Sequence, residues 1–362
     1  MQWSFSIGTV AGSQIRIHLT FFLLLAWIGL VALQTGGTAA AVEGIAFIIA
    51  IFACVVLHEL GHAIAARRYG IVTPRITLLP IGGVAQLERM PEKPGQEIVV
   101  ALAGPAVNVV IATVLIFILG ANVDLSTAAA IEDPTVSFVA RVAAVNVILV
   151  LFNLIPAFPM DGGRVLRALL ATRYSRVRAT QIAARIGQFL AIIFGFLGLL
   201  GGNPLLIFVA IFVYIAATAE SQMTGMQDIA RSLGVRDGMI TQYEALGPGA
   251  RLGQAADLLL MTTQREFPVL ANDGTMAGVL GTRDLIAGLD EAGRDGPVSA
   301  YMNRDVPVMT EDETLYAAMV QLQQHRKPAV AVMGRDGALA GYVTAENLSE
   351  LMMVEDALAG RR

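Results

Sequence analysis

Apolar runs separated by short polar or Gly/Pro-bearing stretches fill the chain as far as about residue 220, after which apolar and polar positions mix as in a soluble fold. Six of the runs read as transmembrane helices, at about 17–33, 42–66, 96–119, 135–155, 179–200 and 204–218. Residues 1–17 mix both kinds of position, and a loop is expected at 122–133. Between the second and third runs, residues 71–86 carry prolines, paired glycines and β-branched residues, which suit a helix poorly. They predict a short β-hairpin or re-entrant element whose free edge can take up an extended peptide, with a plain connecting loop as the alternative. The expected architecture is a polytopic α-helical membrane domain over 1–220, with six transmembrane helices and that β-element. A connector over 221–250 and a soluble α/β module over 251–362 follow.

Composition agrees with a membrane chain: 55% of residues are hydrophobic and the mean hydropathy is +0.64. The lipid bilayer is therefore an expected partner, and the absence of a basic tract excludes nucleic acid as one. The lone cysteine, Cys54, rules out an internal disulfide and is expected to be a small core residue. Charge is unevenly placed. Arg67, Arg68, Arg75, Arg89 and Lys93 follow the second run, and Arg164, Arg167, Arg173, Arg176 and Arg178 follow the fourth. The loops after the first, third and fifth runs hold no Lys or Arg. By the positive-inside rule the even-numbered loops, and with six spans both termini, face the cytoplasm across the cytoplasmic membrane. Arg141 fits this least well and is expected to snorkel to the interface, and His18 to be interfacial. The T-A-A-A at 38–41 imitates a signal-peptidase site, but the first run is long enough to anchor and is expected to be retained.

The second run ends in F-A-C-V-V-L-H-E-L-G-H-A-I-A-A (52–66). His58 and His62, four apart on a helix, share a face and can bind one metal ion through imidazole nitrogens. Glu59, turned by about 100°, can reach the water at that ion without being a ligand. A chance H-E-x-x-H with two core or surface histidines is the alternative, but ionisable groups at membrane depth are costly and functional by default. A catalytic zinc needs a third protein ligand. His325 lies in the soluble tail, whereas Asp161, after two prolines and before Gly162–Gly163, sits where a broken helix can open onto a cavity. The competing role for Asp161 is N-cap of a short helix over 162–171. Asn153 suits hydrogen bonding to a substrate backbone or an oxyanion, or alternatively a helix-terminus cap.

H-E-L-G-H in one run, G-P-A-V-N (104–108) in the next and N-L-I-P-A-F-P-M-D-G-G-R (153–164) in the following one together resemble the site-2 protease family of intramembrane zinc metalloproteases. The similarity spans roughly residues 1–220. It implies His58, His62 and Asp161 as ligands of one Zn2+, Glu59 as general base, Asn153 as substrate-assisting, and the hairpin at Gly82–Gly83 beside the cleft. It further implies a single-span membrane protein as substrate, such as an anti-sigma factor or another tethered regulator.

The tail repeats itself. Residues 252–289 and 314–351 each read helix, strand, Asp-Gly turn, strand, helix. This is similar to a tandem CBS pair, which implies adenine-nucleotide sensing, or else a ligand-free dimerisation module. G-Y-V-T-A-E-N (341–347) matches the family's phosphate-and-ribose pattern at Thr344, with Asn347 where Asp is usual. The first repeat keeps Asp284 but has Gly281 where the threonine is expected. A homodimer through the pair is expected. The rival from another class is a CBS-regulated transporter or channel.

Overall fold

The computed structural model describes residues 3–80, 82–88, 90–121, 136–323, 327–335 and 337–359. The loop expected at 122–133, Arg89 and His325 lie outside the described residues. The chain divides into two compact units, Met1–Gln222 and Met223–Arg362.

The first unit opens with strands the sequence pattern did not reveal, β1 (Ser4–Val10) and β2 (Ser13–His18). They are joined at Ala11 and Gly12, both with positive φ, a two-residue reversal suited to a twisted hairpin. His18 caps the helix that follows, its Nδ1 accepting from the Thr20 amide. That helix, α1 (Leu19–Arg67), is 49 residues long and would extend over about 73 Å if straight, far beyond a bilayer of about 30 Å. It is not straight. Gly37, at φ 74° and ψ −167°, breaks the helical path, and the two limbs fold back on each other. The rings of Phe21 and Phe52 lie 4.5 Å apart, and a Cβ on Gly29 would meet Ile45 at 2.9 Å. The first two apolar runs are therefore two limbs of one helical hairpin.

After α1 come β3 (Arg75–Leu79) and β4 (Gly82–Gln86), the hairpin expected at 71–86. β3 pairs in parallel with β2 and antiparallel with β4, giving one four-stranded sheet in the order β1-β2-β3-β4. Next is α2 (Pro94–Thr113), begun by a proline whose missing N–H costs nothing in the first turn, and continued by a π-helical turn, Val114–Ile118. α3 (Phe138–Asn153) is capped by the Ser137 hydroxyl, α4 is Asp161–Leu170, α5 (Arg176–Leu200) is capped by Ser175, and α6 is Pro204–Ser232. Among the described residues α1, α2 with its π turn, α5 and α6 are long and apolar enough to cross a membrane; α3 is shorter. Arg141 does not snorkel. It is buried, paired with Glu43 at 2.8 Å, and lies 4.3 Å from the ring of Phe47. An ion pair removes the need to reach water.

The second unit comprises α7 (Val235–Gly238), α8 (Leu252–Met261), β5 (Glu266–Leu270), β6 (Met276–Gly281), α9 (Thr282–Ala292), α10 (Val298–Tyr301), β7 (Val308–Thr310), α11 (Leu315–Gln323), β8 (Val330–Met333), β9 (Leu339–Val343) and α12 (Ala345–Ala359). The first repeat forms β5–β6, turning at Gly274 with φ 81°, and the second forms β8–β9, turning at Gly337 with φ 79°, with β7 from the preceding segment pairing in parallel with β8. Each packs its own core, Phe267, Leu280 and Leu285 in one and Val330, Val332, Val343 and Leu348 in the other. The stretch expected as a connector, 221–250, is largely part of this unit. Val235 is fully buried against Leu315, Ile240 pairs with Tyr342, and Leu246 pairs with Val269. Its weak periodicity hid the end of α6, where Ala230 is fully buried, and short segments beyond it that add scattered apolar residues to the two cores.

Replacing Gly37 by alanine places a Cβ in a backbone region open essentially to glycine, a strain of about 1–3 kcal/mol. The Gly37→Ala chain in detergent is expected to melt several degrees lower, and an unchanged Tm would show that the hairpin does not depend on this turn.

Candidate metal centre

Two turns of the second α1 limb and the first residue of α4 converge. His58 and His62 Nε2 are 3.0 Å apart, and Asp161 Oδ2 stands 3.2 Å from the first and 3.1 Å from the second. All three side chains are buried. Asp161 is the first helical residue of α4 rather than its N-cap, which is Met160; its carboxylate faces the imidazoles instead of capping its own helix.

Hydrogen bonds on the far side of each ring fix which nitrogen carries the proton. His62 Nδ1 donates to the Val100 carbonyl at 2.7 Å. His58 Nδ1 donates to Asn108 Oδ1 at 2.5 Å. Asn108 Nδ2 in turn donates to Asn146 Oδ1 at 2.8 Å, and Asn146 Nδ2 to the Val142 carbonyl at 2.9 Å, so both amides are oriented by their own partners. Each Nε2 is thereby left with a lone pair, and two such nitrogens and a carboxylate oxygen face one another. Without a cation among them these acceptors repel. Ligands of a tetrahedral ion with bonds of about 2.0–2.2 Å stand roughly 3.3 Å apart, close to the triangle seen. Gly104 adds an independent mark: a Cβ there would collide with Nε2 of His62 and lie 2.6 Å from Nε2 of His58. The residues present fit a zinc ion.

Around this triangle lies a cavity of about 410 Å³, lined by Glu59, Asn153, Gly82, Gly83 and Arg164 among others. β4 runs so close to α1 that a Cβ on Gly83 would sit 2.8 Å from Glu59 Cγ. Asn153 Nδ2 donates back to the Leu149 carbonyl of its own helix, which leaves its amide oxygen for other work. Arg164 approaches the second oxygen of Asp161 at 3.4 Å. Sequence reasoning did not assign a role to Asn108, Asn146 or Gly104; the available signal was two asparagines within apolar runs, where an amide needs a partner.

In the second unit Thr344 and Asn347 line a cavity of about 1060 Å³ together with Thr241, Tyr243 and Glu266. The Thr344 hydroxyl accepts from the backbone N–H of Asn347. Asp284, in the first turn of α9, is not among the lining residues. Burial and the nearby Glu346 push the Glu266 carboxyl up. Arg265 is ion-paired with Glu346 at 2.9 Å.

The Peptidase family M50 model matches residues 46–132 and 119–194, and the CBS domain model matches residues 298–354. The chain is 32% identical to the zinc metalloprotease MJ0392 of Methanocaldococcus jannaschii over 98% of this chain and 97% of that one. It is 26% identical to stage IV sporulation protein FB of Bacillus subtilis over 50% and 57%. A solved structure titled site-2 protease, from Methanocaldococcus jannaschii, covers 60% of this chain and 95% of its own, with 38% identity and a TM-score of 0.46. A metalloprotease of membrane type is the class that histidine pair and apolar helices define. The chain belongs to the M50 peptidases, zinc metalloproteases of the site-2 protease kind, and carries a CBS-type soluble domain. That membership sets aside a transporter or channel.

Because Asn108 holds the His58 ring, Asn108→Leu is expected to weaken zinc binding by about 10–100-fold with the fold retained. Chelator competition measures it; wild-type affinity would deny Asn108 that role.

Proposed function

We propose that the chain cuts peptide bonds inside the bilayer, in the transmembrane segments of membrane-tethered regulatory proteins such as anti-sigma factors. The observation that carries the reading is the buried His58–His62–Asp161 triangle opening onto a cavity that also holds Glu59. Zn2+ on these three residues would supply Lewis acidity toward a water molecule and the scissile carbonyl. Glu59 takes the proton from the attacking water on its carboxylate and returns it to the leaving amine. Asn153 offers its amide oxygen to a substrate N–H, or its second Nδ2 proton to the developing oxyanion. Apolar walls limit water to the cleft, and the free edge of β4 holds the substrate in extended form by strand addition.

Six crossings are the arrangement proposed, with the two limbs of α1 counted separately and α3 as a short crossing. By the positive-inside rule, the side of the arginine-rich stretches after α1 and after α3 is taken as cytoplasmic, together with both termini and the CBS module. His58 lies nine residues before Arg67, about 14 Å along the helix, so cleavage falls nearer the cytoplasmic face. The cavity at Thr344 and Asn347 is proposed to take an adenine nucleotide that modulates the peptidase, and the CBS module to pair two chains as a homodimer. Among the described residues, Glu244, Glu266, Glu346 and Glu350 line that cavity with one cation, Arg265, which favours forms with few phosphates or with a divalent cation bound. The first repeat, with Gly281 in place of threonine and Asp284 off the cavity, is proposed to lack a site.

Two experiments test these readings. Glu59→Gln is expected to keep its zinc and lose cleavage of a co-expressed single-span substrate by about 10²–10⁴-fold, whereas His58→Ala loses the metal itself. Fragment mass spectrometry and metal analysis read both, and undiminished cleavage by Glu59→Gln would end the proposal. AMP is expected to raise the Tm of the full chain, and Thr344→Ala to abolish that rise; no shift with AMP, ADP or ATP would leave the module a pairing device.

A further inference from the structure

Beyond the zinc triangle, the membrane unit buries a second charged cluster whose geometry ties it to Asp161. We propose that Arg167 is a positioning residue for the metal ligand Asp161, and that Glu220 is the grip by which α6 sets the place of α4. The inference rests on the reading of Asp161 as a zinc ligand given above.

α4 is ten residues long, with Asp161 at its first position and Arg167 six residues on, about 9 Å along the axis. A helix this short moves as one piece, so a displacement at Arg167 is delivered to the Asp161 carboxylate. Metal ligands tolerate displacements of only about 0.2 Å, so α4 must be fixed at both ends. At the first end Gly162 and Gly163 lie on the backbone of the preceding loop: a Cβ on Gly162 would collide with the Leu154 and Ile155 carbonyls, and one on Gly163 would lie 2.6 Å from the Ala157 carbonyl carbon. Those contacts stop α4 from moving toward the loop. They do not stop it from moving away.

Arg167 supplies that second restraint. Its side chain is 2% exposed. Nε donates to Glu97 Oε1 at 2.7 Å, Nη2 lies 2.5 Å from the same oxygen, and Nη1 lies 2.5 Å from Glu220 Oε1. The guanidinium also stands 5.2 Å from the Phe158 ring. Glu97, on α2 and equally buried, receives a further contact at 3.3 Å from Arg176, the first residue of α5. Two cations and two anions thus join α2, α4, α5 and α6. A buried guanidinium is stable only while its acceptors stay in place. Its planar fork reads the positions of Glu97 and Glu220 together, which a lysine cannot do.

Glu220 is the exposed member, its side chain 39% accessible. It lies two residues before Gln222, the last residue of the first unit, on the helix that continues into the second. A shift or rotation of α6 at this level changes what Arg167 can reach and, through α4, where Asp161 sits. α6 is thereby able to raise or lower the affinity of the metal site without touching it.

The test is zinc affinity of the full chain in micelles by chelator competition, with the Tm of each zinc-free variant measured alongside. Glu220→Gln keeps the size of the side chain and leaves Glu97 to Arg167; it is expected to weaken zinc binding roughly tenfold, with the zinc-free Tm unchanged. Arg167→Gln is expected to approach a hundredfold loss, and Arg167→Lys to fall between. Wild-type affinity in both Glu220→Gln and Arg167→Lys overturns the proposal, as does an affinity that falls only in step with the zinc-free Tm. A wild-type chain that takes up no zinc overturns this proposal and the peptidase reading together. A wild-type chain that binds zinc and cleaves, beside an unaffected Glu220→Gln, overturns this one alone.

Discussion

Two imidazole Nε2 atoms and a carboxylate oxygen face one another within 3.2 Å in the interior of the membrane unit. Acceptors this close and this buried need a proton or a metal cation among them, and the helices are arranged to hold the three atoms together. α1 contributes the two histidines through its four-residue spacing. α4 contributes the carboxylate from its first turn. α2, wedged between them, supplies the Val100 carbonyl and Asn108, which turn the rings, and Gly104, which leaves the space.

The supporting polar groups obey the same constraint. Asn108 and Asn146 are fully buried, and in an apolar setting each amide must be matched. They match each other and pass the remaining donor to the Val142 carbonyl. A chain of this kind fixes a tautomer as firmly as a charged partner would, without placing another ionised group in hydrocarbon. Where charge is buried, at Glu97 and Arg167 or at Arg141, it is paired.

Much of this was legible in the sequence because the decisive residues are local or chemically rare. His58, Glu59 and His62 declare themselves by spacing, and Asp161 by standing among prolines and glycines in an apolar half. The apolar runs marked the helices, since periodicity and length suffice for that. What stayed hidden depends on partners far along the chain. β1 pairs with β2 and β2 with β3, and nothing in residues 4–18 alone announces a strand that waits for Arg75–Leu79. Asn146 reads as an ordinary interruption until Asn108 is seen beside it. Arg141 looked like a snorkelling cation because its partner, Glu43, is 98 residues away. The residues from 233 to 250 lack periodicity because their core contacts come from scattered side chains, Leu233, Val235, Met239, Leu246 and Ala250, rather than from one face of an element.

The parallel pairing of β2 with β3 has a mechanical consequence. The crossover between those strands is the α1 hairpin itself, so the β-wall of the cleft and the helix bearing His58, Glu59 and His62 belong to one closed supersecondary loop fastened by a hydrogen-bonded ladder. The register of that ladder therefore ties the position of Gly82 and Gly83 to that of the histidine-bearing limb. Phe152 and Asn153 at the end of α3 and Phe212 on α6 also line the cavity, and among the described residues these positions belong to helices rather than to the ladder.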